Sequence, residues 1–333
     1  MVTNRPFIVL ALVLLVLAPL SGCIQRESNV DLKPKPGVYA DDMRDFVKGI
    51  SSFAKASDPD FIIIPQNGHG LLTSDGTGNG TPVMTYISAI DGVGQEDMFY
   101  GYDADNKATP SEVTALLKGR LAVAEKNGVQ ALVIDYCSDQ AKMDDSYSKN
   151  KAEGFISIAA DHRALDNIPA YPVHPFGMNA DNITSLKDAK NFLYIINPEG
   201  YTSKEAFFSA VRATNYDVII IDAFFNDVQL TKDDVASLKV KANGGTRLVI
   251  SYMSIGEAEN YRYYWQAGWK TDNPYFLDKE NPDWKGNYKV RYWEKSWQDI
   301  IYGNNASYTK RLLDSGFDGA YLDIIDAYEY YEG

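Results

Sequence analysis

The stretch Thr109–Asp139, TPSEVTALLKGRLAVAEKNGVQALVIDYCSD, contains the unit on which the reading of the fold rests. Pro110 has the fixed φ of a first helical turn, Thr109 stands before it as N-cap, Glu112 completes a capping box, and Asn127-Gly128 stops the helix. The apolar run ALVID then reads as a strand buried on both faces, ending in an acid, Asp135. The same order recurs downstream. Thr202 and Glu205 open a helix that stops near Asn215 and feeds YDVIIIDAFF, with Asp222 at the strand's end. Thr231 and Asp234 open another, Asn243-Gly244-Gly245 close it, and RLVISYMS leads to Glu257. A helix around Tyr308 to Leu313 stops at Gly316 before GAYLDIID delivers Asp323 and Asp326.

Toward the N-terminus, MRDFVKGISSFA (Met43–Ala54) has apolar residues at helical spacing, and DFIIIPQN (Asp60–Asn67) follows as a strand. DGVGQEDMFYG (Asp91–Gly101), GFISIAAD (Gly154–Asp161) and NFLYIIN (Asn191–Asn197) bring the strand candidates to eight. Helices alternating with buried parallel strands predict an α/β fold, a (β/α)8 TIM-type barrel forming a single domain over residues 38–333. No strand opens a G-x-G-x-x-G turn, which argues against an open dinucleotide-binding sheet. After the eighth strand AYEYYEG is too short for a full helix, so the helix near residues 43–54 is expected to fill that place. DGTGNG (Asp75–Gly80) begins like a calcium loop, but the twelfth position is Tyr86 where Glu is required, so it reads as a lid or surface loop. KMDDSYSKNKAEG (Lys142–Gly154) reads as a solvated connection of mixed charge.

Ahead of the domain, Arg5 precedes the apolar run FIVLALVLLVLAPL (Phe7–Leu20), which is too short to span a bilayer and suits a signal peptide. It ends in Leu20-Ser21-Gly22-Cys23, which resembles the lipobox of prokaryotic lipoproteins. The expectation is a signal peptide over residues 1–22, a lipidated Cys23 with a flexible tether over 23–37, and a domain held at the outer face of the cell membrane. With Cys23 lipidated, Cys137 has no disulfide partner, so the fold must stand on its core; 45% hydrophobic residues provide the material. A formal charge of −13 excludes nucleic acid as a partner, because binding a polyanion needs a basic field. The three histidines, His69, His162 and His174, lack metal-ligand spacing, and neither a metal nor a cofactor is expected.

In a (β/α)8 fold the site lies at the C-terminal ends of the strands. Those ends carry Gln66 and Asn67, Glu96 and Asp97, Asp135, Asp161, Asn197, Asp222, Glu257, and Asp323 with Asp326, a crown of acids and amides without a lysine. A single such acid is often only a cap, but a converging set repels itself unless a cationic ligand, a metal or a shared proton relieves it. All five tryptophans, Trp265, Trp269, Trp284, Trp293 and Trp297, fall between the seventh and eighth strands, interleaved with tyrosines. Rings that stack on sugar C–H faces, beside acids that bind hydroxyls, point to carbohydrate.

SYMSIGEAENYRYYW, ENPDWKGNYKVRYWEKSWQDII and GFDGAYLDIIDAYEYY together resemble exported (β/α)8 proteins grouped with the endo-α-1,4-polygalactosaminidases, glycoside hydrolase family 114. The resemblance is strongest from about Tyr216 onward and extends, with the archaeal and bacterial branch, to MRDFVKGI, FIIIPQNG and DGVGQEDMFYG. It implies action on glycosidic bonds, in amino-sugar or related polysaccharides. One departure bears on the assignment of acid and nucleophile: the motif matching GAYLD carries a Glu two positions before the Asp in the galactosaminidases, where this sequence has Tyr321.

Two functional readings follow: a membrane-anchored glycoside hydrolase, and a non-catalytic carbohydrate-binding envelope lipoprotein on the same scaffold. A metal-dependent polysaccharide deacetylase is a third, separable by chelator. For the hydrolase, Glu257 is expected as the protonated acid, its pKa raised by the apolar and aromatic residues after it, and Asp323 as the ionised partner. Adjacent strands lie about 4.8 Å apart, which would put this pair at the retaining distance of about 5 Å. Asp222, one strand further away, would favour inversion if it were the partner. Asp326, Tyr252, Arg262, Trp293, Gln66, Asn67, Glu96 and Asp135 are the expected substrate contacts.

Overall fold

The computed structural model describes residues 38–332; the expected signal peptide, Cys23 and tether lie outside them. The eight strands read from the sequence are all present: β1 (Ile62–Pro65), β2 (Gly92–Glu96), β3 (Gln130–Tyr136), β4 (Ile156–Ala160), β5 (Phe192–Ile195), β6 (Val218–Asp222), β7 (Leu248–Ser254) and β8 (Gly319–Asp323). They pair in parallel as a five-stranded sheet, β1-β8-β7-β6-β5, and a three-stranded sheet, β2-β3-β4. The sheets meet at a seam between β1 and β2. There Gln66 and Gly94 form a parallel bridge, Asn67 N donates to Gly94 O at 2.7 Å, and Asp91 N donates to Ile63 O at 2.9 Å. β4 and β5 are neighbours across the other seam.

The strands are apolar at successive positions because both faces are covered. Ile62–Pro65 are all buried, as are Val218–Ile221 and Leu248–Ser254. Each fully buried Ile or Leu contributes about 1.5–3 kcal/mol, so these runs form the energetic centre of the fold. The first helix, α1 (Val38–Ser57), packs against the short C-terminal helix Ala327–Glu332 and against Tyr308–Asp314, filling the place that the last helix leaves. Phe46 on α1 stacks on Tyr292 at 6.4 Å.

Local signals were realised unevenly. Thr231 and Asp234 open the helix Lys232–Leu238 as expected, and do so as a capping box. Thr109 does not cap the helix Ser111–Lys126; its hydroxyl donates to Asp97 O at 2.7 Å, tying the helix entry to the end of β2. Ser203, not Thr202, caps Lys204–Arg212. The stretch expected as a solvated connection is instead the helix Gln140–Glu153, capped by Asp139. Its buried positions, Met143, Ser146, Tyr147 and Asn150, follow helical spacing but are half polar. DGTGNG is pinned down rather than lid-like: Asp75 Oδ1 accepts from Thr77 N and its hydroxyl, both at 2.9 Å, and Arg120 Nε donates to Gly76 O at 3.0 Å.

Candidate active site

Strand alternation decides which strand-end side chains share an environment. Across β6, β7 and β8 the register aligns Asp222 with Tyr252 and Tyr252 with Tyr321. Two residues beyond Tyr321, Asp323 is opposite Ser254. The Asp323 carboxylate accepts from the Tyr252 hydroxyl and from Ile324 N, each at 2.8 Å. A main-chain bend at Ile324, with φ 60°, supplies that amide.

On the other side of β1, Glu96 ends β2. Tyr136 OH donates to its Oε1 at 2.5 Å and Asn67 Nδ2 to its Oε2 at 2.9 Å. The Asn67 amide can face only one way, because its Oδ1 accepts from Glu96 N at 3.2 Å. Gln66 accepts from Tyr194 OH at 3.0 Å, and the Tyr194 ring lies 5.2 Å from that of Tyr321. Burial, and then the charges of Asp323 and Glu96, hold the Tyr194 hydroxyl far above its ordinary pKa; burial, Glu96 and Asp323 do the same for Tyr321. Both rings therefore lie within the fields of both carboxylates.

Asp222 is gripped by a two-pronged contact, Arg262 Nη1 to Oδ1 at 2.8 Å and Nη2 to Oδ2 at 2.6 Å. Arg262 Nε also donates to Glu259 at 2.5 Å, and Tyr261 OH donates to the same carboxylate at 2.7 Å. Arg262, expected as a substrate contact, is thus a buried clamp between two acids. The Tyr261 ring above them is about half exposed. Glu259, Tyr136 and Tyr194 were not singled out in the sequence; Glu259 carried one signal, its position two residues from Glu257 in a short strand.

Glu257 does not end β7. It opens a small antiparallel sheet of Glu257–Glu259, Leu277–Glu280 and Asn287–Val290, the last of these lying between the other two, in which Glu257 is opposite Lys289. The premise of acids on adjacent strand ends is therefore corrected: Ser254 takes the place beside Asp323. The Glu257 carboxyl is 1% exposed, accepts from Asn281 Nδ2 at 2.8 Å and stands 3.7 Å from Lys289 Nζ. Burial raises its pKa from 4.5 against the opposing pull of Lys289 and Asn281, with Asp326 adding to the rise. Because the folded form binds its proton more tightly than the unfolded chain, the stability associated with this group is complete below 4.5 and is lost as pH rises through the folded value. Glu257→Gln should therefore match the wild type in melting temperature near pH 4 and exceed it progressively as pH rises; parallel curves across that range would contradict this placement of the proton.

Two further expected contacts lie elsewhere. Asp135 is fully buried and faces the helix Gln140–Glu153, accepting from Ser146 Oγ at 2.6 Å, Asn150 Nδ2 at 3.1 Å, Phe99 N at 2.8 Å and Tyr100 N at 3.1 Å. Four donors make it an organiser of the β2 and β3 loops rather than a substrate ligand. Trp293 packs against its neighbour Tyr292, Tyr39 of the first helix and Tyr331 of the last. Trp297 is buried with its indole N–H on Ile255 O at 2.9 Å, whereas Trp284 and Tyr275 are exposed. Asp326 is exposed at the turn into the last helix.

A parallel α/β sheet with acids, amides and tyrosine hydroxyls gathered at its strand C-terminal ends defines a class of protein suited to polar, hydroxyl-rich ligands. Residues 179–333 match glycoside-hydrolase family GH114, which makes this part of the chain GH114-like. The chain is 40% identical over 124 residues to an uncharacterised protein of Deinococcus radiodurans, covering 37% of this chain and 38% of that one. It is 34% identical over 153 residues to an uncharacterised protein of Methanocaldococcus jannaschii, covering 46% and 42%. For an uncharacterised protein of Thermotoga maritima the identity is 35% over 121 residues, covering 36% of each. The matches span less than half the length of these curated relatives.

Proposed function

We propose that this protein is a glycoside hydrolase acting on an amino-sugar-containing or related polysaccharide, with Asp323 as one of its two carboxylates. The observation that carries the reading is the position of Asp323 at the end of β8, held by Tyr252 OH and Ile324 N inside the GH114-like segment. The side-by-side order β1 to β8, with β8 returning to β1, is the order a closed (β/α)8 barrel requires, and closure is part of the proposal. The acids would attract cationic amino sugars, and the exposed rings of Tyr261, Tyr275 and Trp284 would stack on sugar faces. Export and lipid anchoring through Cys23 complete this reading and rest on the apolar run and tetrapeptide at residues 7–23.

The test is to incubate the domain from residue 24 onward with acetylated and deacetylated amino-sugar polymers and measure new reducing ends. Turnover on any of them supports hydrolysis. Saturable binding without new ends would instead favour the carbohydrate-binding lipoprotein, and acetate released without new ends, in a reaction abolished by chelator, would favour a deacetylase.

A further inference from the structure

Resting on the hydrolase reading, we infer that Glu96 is the second carboxylate of the reaction: it takes a proton from the attacking water, while Asp323 gives a proton to the departing oxygen. Glu96 lies outside the segment that matches the family, on β2, two strands from Asp323 with only β1 between.

Three features carry this inference. The first is spacing. Strands about 4.8 Å apart put positions two strands away about 9–10 Å apart across the sheet. Glu96 stands two residues, about 7 Å, beyond Gly94, the position level with Asp323 through Gln66, so the backbones are about 12 Å apart and side chains directed inward shorten that toward the 6.5–9.5 Å of inverting glycosidases. The inward direction is set by β2 itself. A Cβ on Gly94 would fall 1.9 Å from the Tyr321 hydroxyl, so position 94 faces the interior and must be glycine, and Glu96, two residues on, faces the same way. The second feature is an orphan. Tyr321 stands two residues before Asp323 on the same strand; its hydroxyl is fully buried and has no hydrogen-bond partner among the described residues, and its ring pairs with that of Tyr194. A donor left unmade in such a place costs about 1–3 kcal/mol, a cost relieved when a water or substrate hydroxyl reaches it.

The third feature separates the roles. Tyr136 OH and the Asn67 amide each donate to Glu96, and Arg163, whose guanidinium lies over the Tyr136 ring at 4.1 Å and pairs with the neighbouring Asp97 at 2.7 Å, brings positive charge to that side of the interior and favours ionised Glu96. The donors at Asp323, Tyr252 OH and Ile324 N, are neutral. The proton of the pair is therefore assigned to Asp323, the reverse of the role expected for it from sequence. In the step itself, water oxygen bonds to the anomeric carbon as Glu96 removes its proton. The glycosidic C–O bond breaks with its electron pair on the leaving oxygen, which takes the proton of Asp323, and the anomeric configuration inverts.

The experiment uses the domain from residue 24 and whichever amino-sugar polymer the wild type cleaves. Glu96→Gln should lower kcat by about 10²–10⁴-fold with an unchanged melting temperature and should remove the acid limb of the pH profile. Azide added to Glu96→Ala should restore turnover, which a merely structural role would not allow, and proton NMR of the first wild-type product should show the inverted anomer. Glu96→Gln turning over within threefold of wild type, or a product of retained configuration, would overturn the inference while leaving the hydrolase reading intact. A wild type inert on every polymer would remove both.

Discussion

Asp323→Asn is expected to reduce kcat on the cleaved polymer by about 10²–10⁴-fold, the range lost when a positioned proton donor or acceptor is removed. The amide has the same shape and can still accept from Ile324 N, which now donates to Asp323 Oδ1 at 2.8 Å, and can still meet the Tyr252 hydroxyl. The fold should therefore melt within a few degrees of wild type, and KM should move much less than kcat, because the interaction is made in the transition state rather than in binding. In the role inferred above, the variant also loses the alkaline limb of the pH profile, whereas Glu96→Gln loses the acid one. Retention of more than about a tenth of wild-type turnover would remove Asp323 from the chemistry.

The largest effect on stability should come from the opposite end of the strands. Asp217, just before β6, and Lys241 have side chains with 0% exposure and meet at 2.9 Å. The Asp217 carboxylate also accepts from Asn179 Nδ2 and Lys190 N, each at 2.8 Å, and Lys241 Nζ donates to Asn179 Oδ1 at 3.0 Å. Lys241→Met leaves the carboxylate charged and sealed from water, a change that costs about 3–5 kcal/mol for buried pairs. Urea denaturation should show that loss in the midpoint, and the double variant Asp217→Asn, Lys241→Met should lose less than Lys241→Met alone. Turnover per folded molecule should stay within twofold, since the pair lies at the start of the strands and the acids at their ends. A midpoint that does not move would show that water reaches Asp217.

The contrast between the two ends of the strands also explains what could be read in advance. Runs such as IIIP, VIIID and LVISYMS are legible as buried strands because continuous burial needs no knowledge of the partner, only that both faces are covered. The capping box at Thr231 and Asp234 is equally local, since both bonds close within one turn. The helix Gln140–Glu153 is not legible in the sequence because its inward stripe uses Ser146 and Asn150, polar residues buried by bonds to Asp135. An apolar periodicity cannot register a stripe whose partner is a carboxylate from another strand.

The same limit separates the acids. Asp135 and Glu96 look alike in sequence, each at the end of a strand, but one faces a helix and is saturated by four donors, while the other shares the interior with Tyr194 and Tyr321. Glu257 follows β7 closely in the chain, yet β8 pairs Asp323 with Ser254, and the chain leaves β7 for the small antiparallel sheet past Gly256, where a Cβ would stand 2.2 Å from Ile324 O. By itself the sequence determined the alternation of helices and parallel strands, the acidic and aromatic character of the strand ends, and the segment resembling GH114. Only the tertiary structure decided which acids converge, because strand pleat and register are set by pairing between residues distant in the chain, and a shift of one residue reverses the face each side chain occupies.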